Sequence, residues 1–199
     1  MFFRGKLFEK VCEIRGLEYL QKGADMNWTE LLKSEIESAY KATNGLLDLV
    51  DNNKLDWKPS TGKNWMTMGQ LLKHIADSCG APFRGFVTGD WGLPESVESS
   101  DLAPEEMLPP AEKMPTVASV SEAKKLLEED KQLALAVLAK CDEDKLANET
   151  TSTPWDPSKM ILGQRLLQMI AHLSSHKSQL FYYLKLQGKP VHTGHLWGM

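Results

Sequence analysis

One stretch of the chain decides the fold. It runs from residue 162 to residue 187 with the sequence LGQRLLQMIAHLSSHKSQLFYYLKLQ. Its apolar residues recur every three or four positions, which places them on one face of an α-helix. Gly188 follows the stretch and Pro190 lies just beyond it, an arrangement that commonly ends a helix. The stretch therefore predicts a long amphipathic helix that packs its apolar face against other elements.

Two further segments repeat this spacing and predict helices of the same kind. One follows Asn27, a good N-cap residue, and spans residues 28–50. The other starts near Ser121, with Ser119 or Ser121 as its cap, and carries apolar residues as far as Leu138. Both segments have the length and the single apolar face of bundle helices.

A fourth segment begins at Thr67, where Gln70 stands three residues on and completes a capping box. Its apolar positions continue to about Phe86, although Gly80 and Pro82 can kink or shorten the helix. In chain order this is the second helix. Four amphipathic helices with almost no strand alternation predict an all-α protein built as a four-helix bundle.

The domain organisation follows from where these helices lie. Residues 26–199 are expected to form one domain, and residues 1–25 an N-terminal appendage that can make one extra helix. The long connection between the second and third helices, residues 88–120, is rich in proline and carboxylates. A connection of this length either crosses the bundle or covers a site, or it is a solvated acidic loop.

Composition excludes several classes of protein. The formal net charge is −4, with cations scattered among anions, so no basic surface for nucleic acid is expected. No run of about 18 apolar residues occurs, and charges interrupt the first ten residues, so neither a membrane span nor an export signal is expected. Cys12, Cys79 and Cys141 lie far apart and form no Cys-x-x-Cys pair. A reducing, cytoplasmic location is the simplest interpretation.

Three histidines are the candidate chemical groups. His172 and His176 stand four residues apart and share one helix face, at the edge of its apolar arc. His74 has the same kind of position on the second helix. Neutral imidazole is a common ligand of zinc, nickel, iron and cobalt, and three imidazoles leave coordination positions open for water or a substrate thiol. The alternative is that these histidines are structural and hydrogen-bonded.

Three neighbouring side chains can support such a site. Asp77 can accept the second imidazole proton of His74, or it is a solvated helix residue. Gln179 can hydrogen-bond a ligand or bound water, or it lies on the surface. Tyr183 can line a pocket, or it covers the core. The sequence assigns no catalytic acid, base or nucleophile, and it lacks the glutamate of the His-Glu-x-x-His zinc-protease motif.

Two motifs resemble the DinB-like superfamily. They are Leu-Leu-Lys-His-Ile-Ala at residues 71–76, and His-x-x-x-His-basic-x-Gln at residues 172–179. The resemblance covers about residues 27–198. It implies a four-helix bundle in which His74, His172 and His176 hold a divalent metal ion, most often zinc or nickel.

The resemblance also suggests a type of reaction. Relatives with assigned activities include transferases that join low-molecular-weight thiols to electrophiles, and a thiol-dependent maleylpyruvate isomerase. This implies a metal-dependent transferase, isomerase or hydrolase that acts on a small electrophile, with a low-molecular-weight thiol as partner, and a homodimer. The alternative function is a non-catalytic, metal-binding or stress-related helical bundle.

Overall fold

The fold is described by a computed structural model that covers residues 27–93, 109–153 and 156–199. The predicted appendage at residues 1–25 and the middle of the 88–120 connection lie outside these ranges. Helix α1 is Trp28–Leu47, and α2 is Met68–Ala76. Both predicted caps are confirmed, because the Asn27 side chain accepts a hydrogen bond from the Glu30 amide and Thr67 forms a capping box with Gln70.

The prediction of one continuous second helix is wrong, since this segment forms two helices. The α2 helix ends at Ala76, and α3, Gly80–Thr88, starts after three non-helical residues. Cys79 has φ −131° and ψ −59°, and Pro82 has no backbone N–H with which to continue the helical hydrogen bonds. The end of α2 and the residues that follow it lie against the helix that carries the other two histidines, since His74 contacts His176 and Ser78 contacts His172.

The second half of the chain adds two long bundle helices and a small hairpin. Helix α4 is Val120–Leu138, capped by Ser119, and the short α5 is Glu143–Asn148. Strands β1, Thr150–Thr153, and β2, Asp156–Ile161, pair antiparallel. These strands were not predicted from the sequence. Helix α6 is Leu162–Leu186, and α7 is Thr193–Leu196. Single 3₁₀ turns lie at Asn52–Lys54 and Ala111–Lys113.

The bundle is formed by α1, the α2–α3 pair, α4 and α6. Its core consists of fully buried apolar side chains from all four members, among them Leu32, Ile36, Leu46, Leu71, Leu72, Ile75, Phe83, Ala134, Leu166, Leu173, Leu180 and Leu184. The all-α prediction is therefore confirmed, with one small hairpin added. Within the described residues, every helix is too short or too polar to cross a membrane.

Candidate metal centre

The three predicted histidines meet where α2 packs against α6. The Nε2 atom of His176 lies 2.9 Å from Nε2 of His172 and 3.0 Å from Nε2 of His74. All three rings are half-buried, and they meet edge to face. The structure therefore brings one nitrogen from each ring to a single point.

Packing of the two helices explains this convergence. Ile75, next to His74, is fully buried on α2, and Leu173, next to His172, is fully buried on α6. Burial of these neighbours turns the adjacent histidines to the margin of the shared core, where their rings reach each other. The four-residue spacing of His172 and His176 places both rings on one face of α6.

The hydrogen-bond partner of His172 Nδ1 shows which of the two ring nitrogens carries the proton. Its Nδ1 atom lies 3.3 Å from the backbone carbonyl oxygen of Ser78, a buried residue between α2 and α3. A carbonyl oxygen can only accept, so Nδ1 of a neutral ring donates to it and Nε2 is left without a proton. His172 therefore offers the lone pair of Nε2 to the centre.

A hydrogen bond to Gln179 fixes the proton of His176 in the same way. The Gln179 Oε1 atom lies 3.0 Å from His176 Nδ1, and an amide oxygen can only accept, so Nδ1 carries the proton. The lone pair of His176 Nε2 therefore also faces the centre. Four residues beyond Gln179, the Tyr183 hydroxyl donates to the Met66 carbonyl oxygen over 2.9 Å.

These proton positions leave two lone pairs facing each other. Two unprotonated nitrogens 2.9 Å apart repel unless a positive charge lies between them. A proton on His74 Nε2 satisfies at most one of them. A divalent metal ion would accept all three lone pairs, because imidazoles that bind one ion at about 2.0–2.1 Å have their nitrogens roughly 3 Å apart. The residues present therefore fit a divalent ion.

Electrostatics keeps these rings neutral. Burial, then the neighbouring His176 and His172, lowers the pKa of His74 to about 4. Burial also lowers the pKa of His172 and of His176, against the opposing effects of the Ser78 carbonyl and the Gln179 amide respectively. Neutral imidazole is the form that binds metals, so all three side chains are in the ligand form near pH 7.

The other predicted and neighbouring residues have varied positions. Asp77 is exposed and forms an ion pair with Lys73, four residues earlier, and its carboxylate makes no hydrogen bond to His74 among the described contacts.

Lys177 is buried and donates to the Leu196 carbonyl over 2.7 Å, which joins α7 to α6. Within the described ranges, no other group of three histidine, cysteine or carboxylate side chains can hold a metal ion.

A cavity of about 440 Å³ opens beside His74 and His172. Its described lining is formed by Asn64, Met66, Pro109, Ala111, Met114 and Pro115. None of these side chains is charged, and Asn64 supplies the single amide. The cavity offers a small molecule an apolar surface next to two of the three imidazoles.

Three parts of this site could not be predicted from the sequence. The role of the Ser78 carbonyl depends on the break between α2 and α3. The Met66 carbonyl and the cavity depend on loops that fold against the helices. One signal was present, since His176, Gln179 and Tyr183 are spaced i, i+3 and i+7 on one helix, a spacing that predicts contact between their side chains.

The fold and the site together define a class of protein: an all-α bundle with three imidazoles that converge between two of its helices. The DinB superfamily matches residues 35–180, a range that contains all three histidines, and the chain belongs to this superfamily. No curated protein and no solved structure matches the chain.

Proposed function

We propose that this chain is a metal-dependent enzyme of the DinB type, with His74, His172 and His176 holding a zinc or nickel ion. The observation that carries the proposal is the 2.9 Å approach of two Nε2 lone pairs whose partner nitrogens both donate elsewhere. When bound, such an ion supplies Lewis-acid chemistry that favours the thiolate form of a thiol or the hydroxide form of water.

The protein side chains have separate tasks in this proposal. Ser78 and Gln179 accept the Nδ1 protons of His172 and His176, which keeps both rings oriented toward the ion. Three protein ligands leave room for an incoming nucleophile. The apolar cavity beside His74 and His172 receives the electrophile.

The lining of the cavity supports an uncharged electrophile. Met66, Met114 and the two prolines offer no counter-charge, so an anionic group placed against them, away from the ion, would lose its hydration without compensation. We propose transfer of a low-molecular-weight thiol to a small, neutral, largely apolar molecule. Asn64 can orient that molecule with one hydrogen bond.

A second candidate function follows from the origin of the ligands. His74 belongs to α2, whereas His172 and His176 belong to α6, so an ion bound by all three joins two bundle helices. In a non-catalytic protein the ion would only hold these helices together. The two candidates differ in whether an added thiol can reach the ion.

Cobalt substitution with addition of a thiol tests the enzyme proposal. Co²⁺ bound to the protein should show a thiolate-to-cobalt charge-transfer absorption when a small thiol is added. The His172→Ala variant, treated identically, should not show it. A cobalt spectrum that does not change at saturating thiol would contradict the transferase proposal and favour the structural role.

A further inference from the structure

The break between α2 and α3 leaves the Ser78 carbonyl without a helical donor. In a continuing α-helix the Ser78 carbonyl would accept from the amide of residue 82, which is Pro82 and has no N–H. The helical bond that follows is present, since the Phe83 amide donates to the Cys79 carbonyl over 2.9 Å. Among the described contacts, His172 is the donor to Ser78.

A buried carboxylate from another helix defines where α3 begins. Asp130 of α4, 6% exposed, accepts from the amides of Gly80 and Ala81 over 2.9 and 3.0 Å, and from the amide of Cys79 over 3.4 Å. The Cys79 side chain makes no capping bond of its own. Asp130 therefore takes the place of a local N-cap and binds the first free amides of α3.

Two other residues contact the Asp130 region from α1 and α3. The Tyr40 hydroxyl of α1 donates to the carboxylate over 2.6 Å. Gly80 allows the close approach of α4, because a Cβ atom there would lie 2.1 Å from the Asp130 carbonyl oxygen and 2.7 Å from its Oδ1. The first turn of α3 is thus held against α4 two residues after Ser78.

We propose that Asp130 is a positioning residue for the metal centre. By binding the first turn of α3, it fixes the Ser78 carbonyl that holds the proton on His172 Nδ1 and leaves Nε2 for the ion. Pro82 contributes by withholding the competing amide. This inference rests on the proposed metal site for its effect on binding, but its effect on the His172 ring does not require a metal.

A purely structural role for Asp130 is the competing interpretation, and Tyr40 provides the matched control. Tyr40→Phe removes one hydrogen bond from the same buried carboxylate and leaves its three bonds to backbone amides. Asp130→Asn replaces one acceptor oxygen with a donor and so loses either the bond to the Ala81 amide or those to the Gly80 and Cys79 amides, because these use different carboxylate oxygens. Both variants lose core hydrogen bonding, but only the second disturbs the first turn of α3.

The test combines imidazole ¹⁵N NMR of the metal-free full chain with zinc affinity. We expect His172 in the parent and in Tyr40→Phe to be protonated on Nδ1, and in Asp130→Asn to be a mixture of both tautomers. Zinc affinity should fall about 10-fold or more in Asp130→Asn and change little in Tyr40→Phe. An unchanged tautomer and an unchanged affinity in Asp130→Asn would overturn the inference.

Pro82→Ala is a milder variant that tests the same inference. Pro82→Ala restores an amide that can compete for the Ser78 carbonyl, so it should shift the His172 tautomer even if Asp130→Asn does not fold; an unshifted tautomer would again count against the inference. If the parent binds no zinc yet the tautomers shift as expected, the proposed metal function fails while the positioning role stands.

Discussion

The Nε2 atoms of His172 and His176 lie 2.9 Å apart, while the Nδ1 atom of each ring lies against an acceptor. Neither ring has a spare proton to place between the two nitrogens as long as both are neutral. Burial lowers the pKa of both rings and so opposes the addition of one. This pair, completed by His74, is the reason to regard the site as a metal centre and not as a hydrogen-bonded cluster.

The bonds that orient His176 predict a graded loss of affinity. Gln179→Leu removes the acceptor of the Nδ1 proton, so zinc affinity should fall about 10–100-fold. Tyr183→Phe removes the hydroxyl bond to the Met66 carbonyl, leaves the bond between Gln179 and His176 in place, and should have a smaller effect. Competition with a chromophoric chelator measures both. Equal affinities for the parent and Gln179→Leu would show that this bond does not orient the ligand.

The metal-free protein should lose stability on acidification. The pKa of His74 is about 4 in the folded chain, below the ordinary value of 6.5, so the unfolded state takes up more protons between these values. The stability contribution of neutral His74 is fully present above about pH 6.5 and is lost as the pH falls toward 4. Thermal unfolding from pH 7.5 to pH 5 should show this slope, reduced in His74→Asn and unchanged in His192→Asn. Identical slopes in all three proteins would refute the assignment.

Metal should stabilise the fold through the two helices that supply its ligands. Binding to the folded state alone adds about 2.7 kcal/mol when free zinc is 100 times Kd. Differential scanning calorimetry should therefore show a higher Tm with zinc than with chelator. His172→Ala should show no difference between the two conditions, and His192→Ala should respond like the parent. A response retained in His172→Ala would place the metal elsewhere.

The cavity predicts selectivity for uncharged substrates. Among electrophiles matched in size, neutral molecules should react with a thiol at least about tenfold faster than analogues that carry a carboxylate on the part remote from the reacting atom, because the described lining away from the ion offers no counter-charge. Met114→Glu should slow the neutral substrates, with Met114→Leu as the volume-matched control, and neither should alter metal content. A preference for the anionic analogues would contradict the proposed substrate class.

Local patterns in the sequence were sufficient to predict an all-α bundle and to place His172 and His176 on one helix face, whereas the joining of His74 to them was implied by the family resemblance. The Asn27 and Thr67 caps and the spacing of His172 and His176 depend on residues within one turn of each other, so they can be read directly from the sequence. The start of α3 could not be predicted, because its cap, Asp130, lies 50 residues away from Gly80. The β1–β2 hairpin was missed because its strands are short and mostly exposed and carry no apolar alternation.

The groups that orient the histidines also divide into those that share a helix with a ligand and those that lie far from it in the sequence. Gln179 and Tyr183 share a helix with His176 and were candidates from their spacing alone. The Ser78 and Met66 carbonyls carry no signal in side-chain identity, since any residue has a backbone oxygen. Their role becomes visible only when the turns that contain them are placed against α6.

Metal content, measured on protein purified without a histidine tag and without added metal, tests the central claim most directly. We expect about one zinc or nickel ion per chain in the parent and in His192→Ala, and none in His172→Ala or His74→Ala. Absence of metal from the parent, even after incubation with zinc or nickel and removal of the excess, would contradict it. The three histidines would then be a structural cluster.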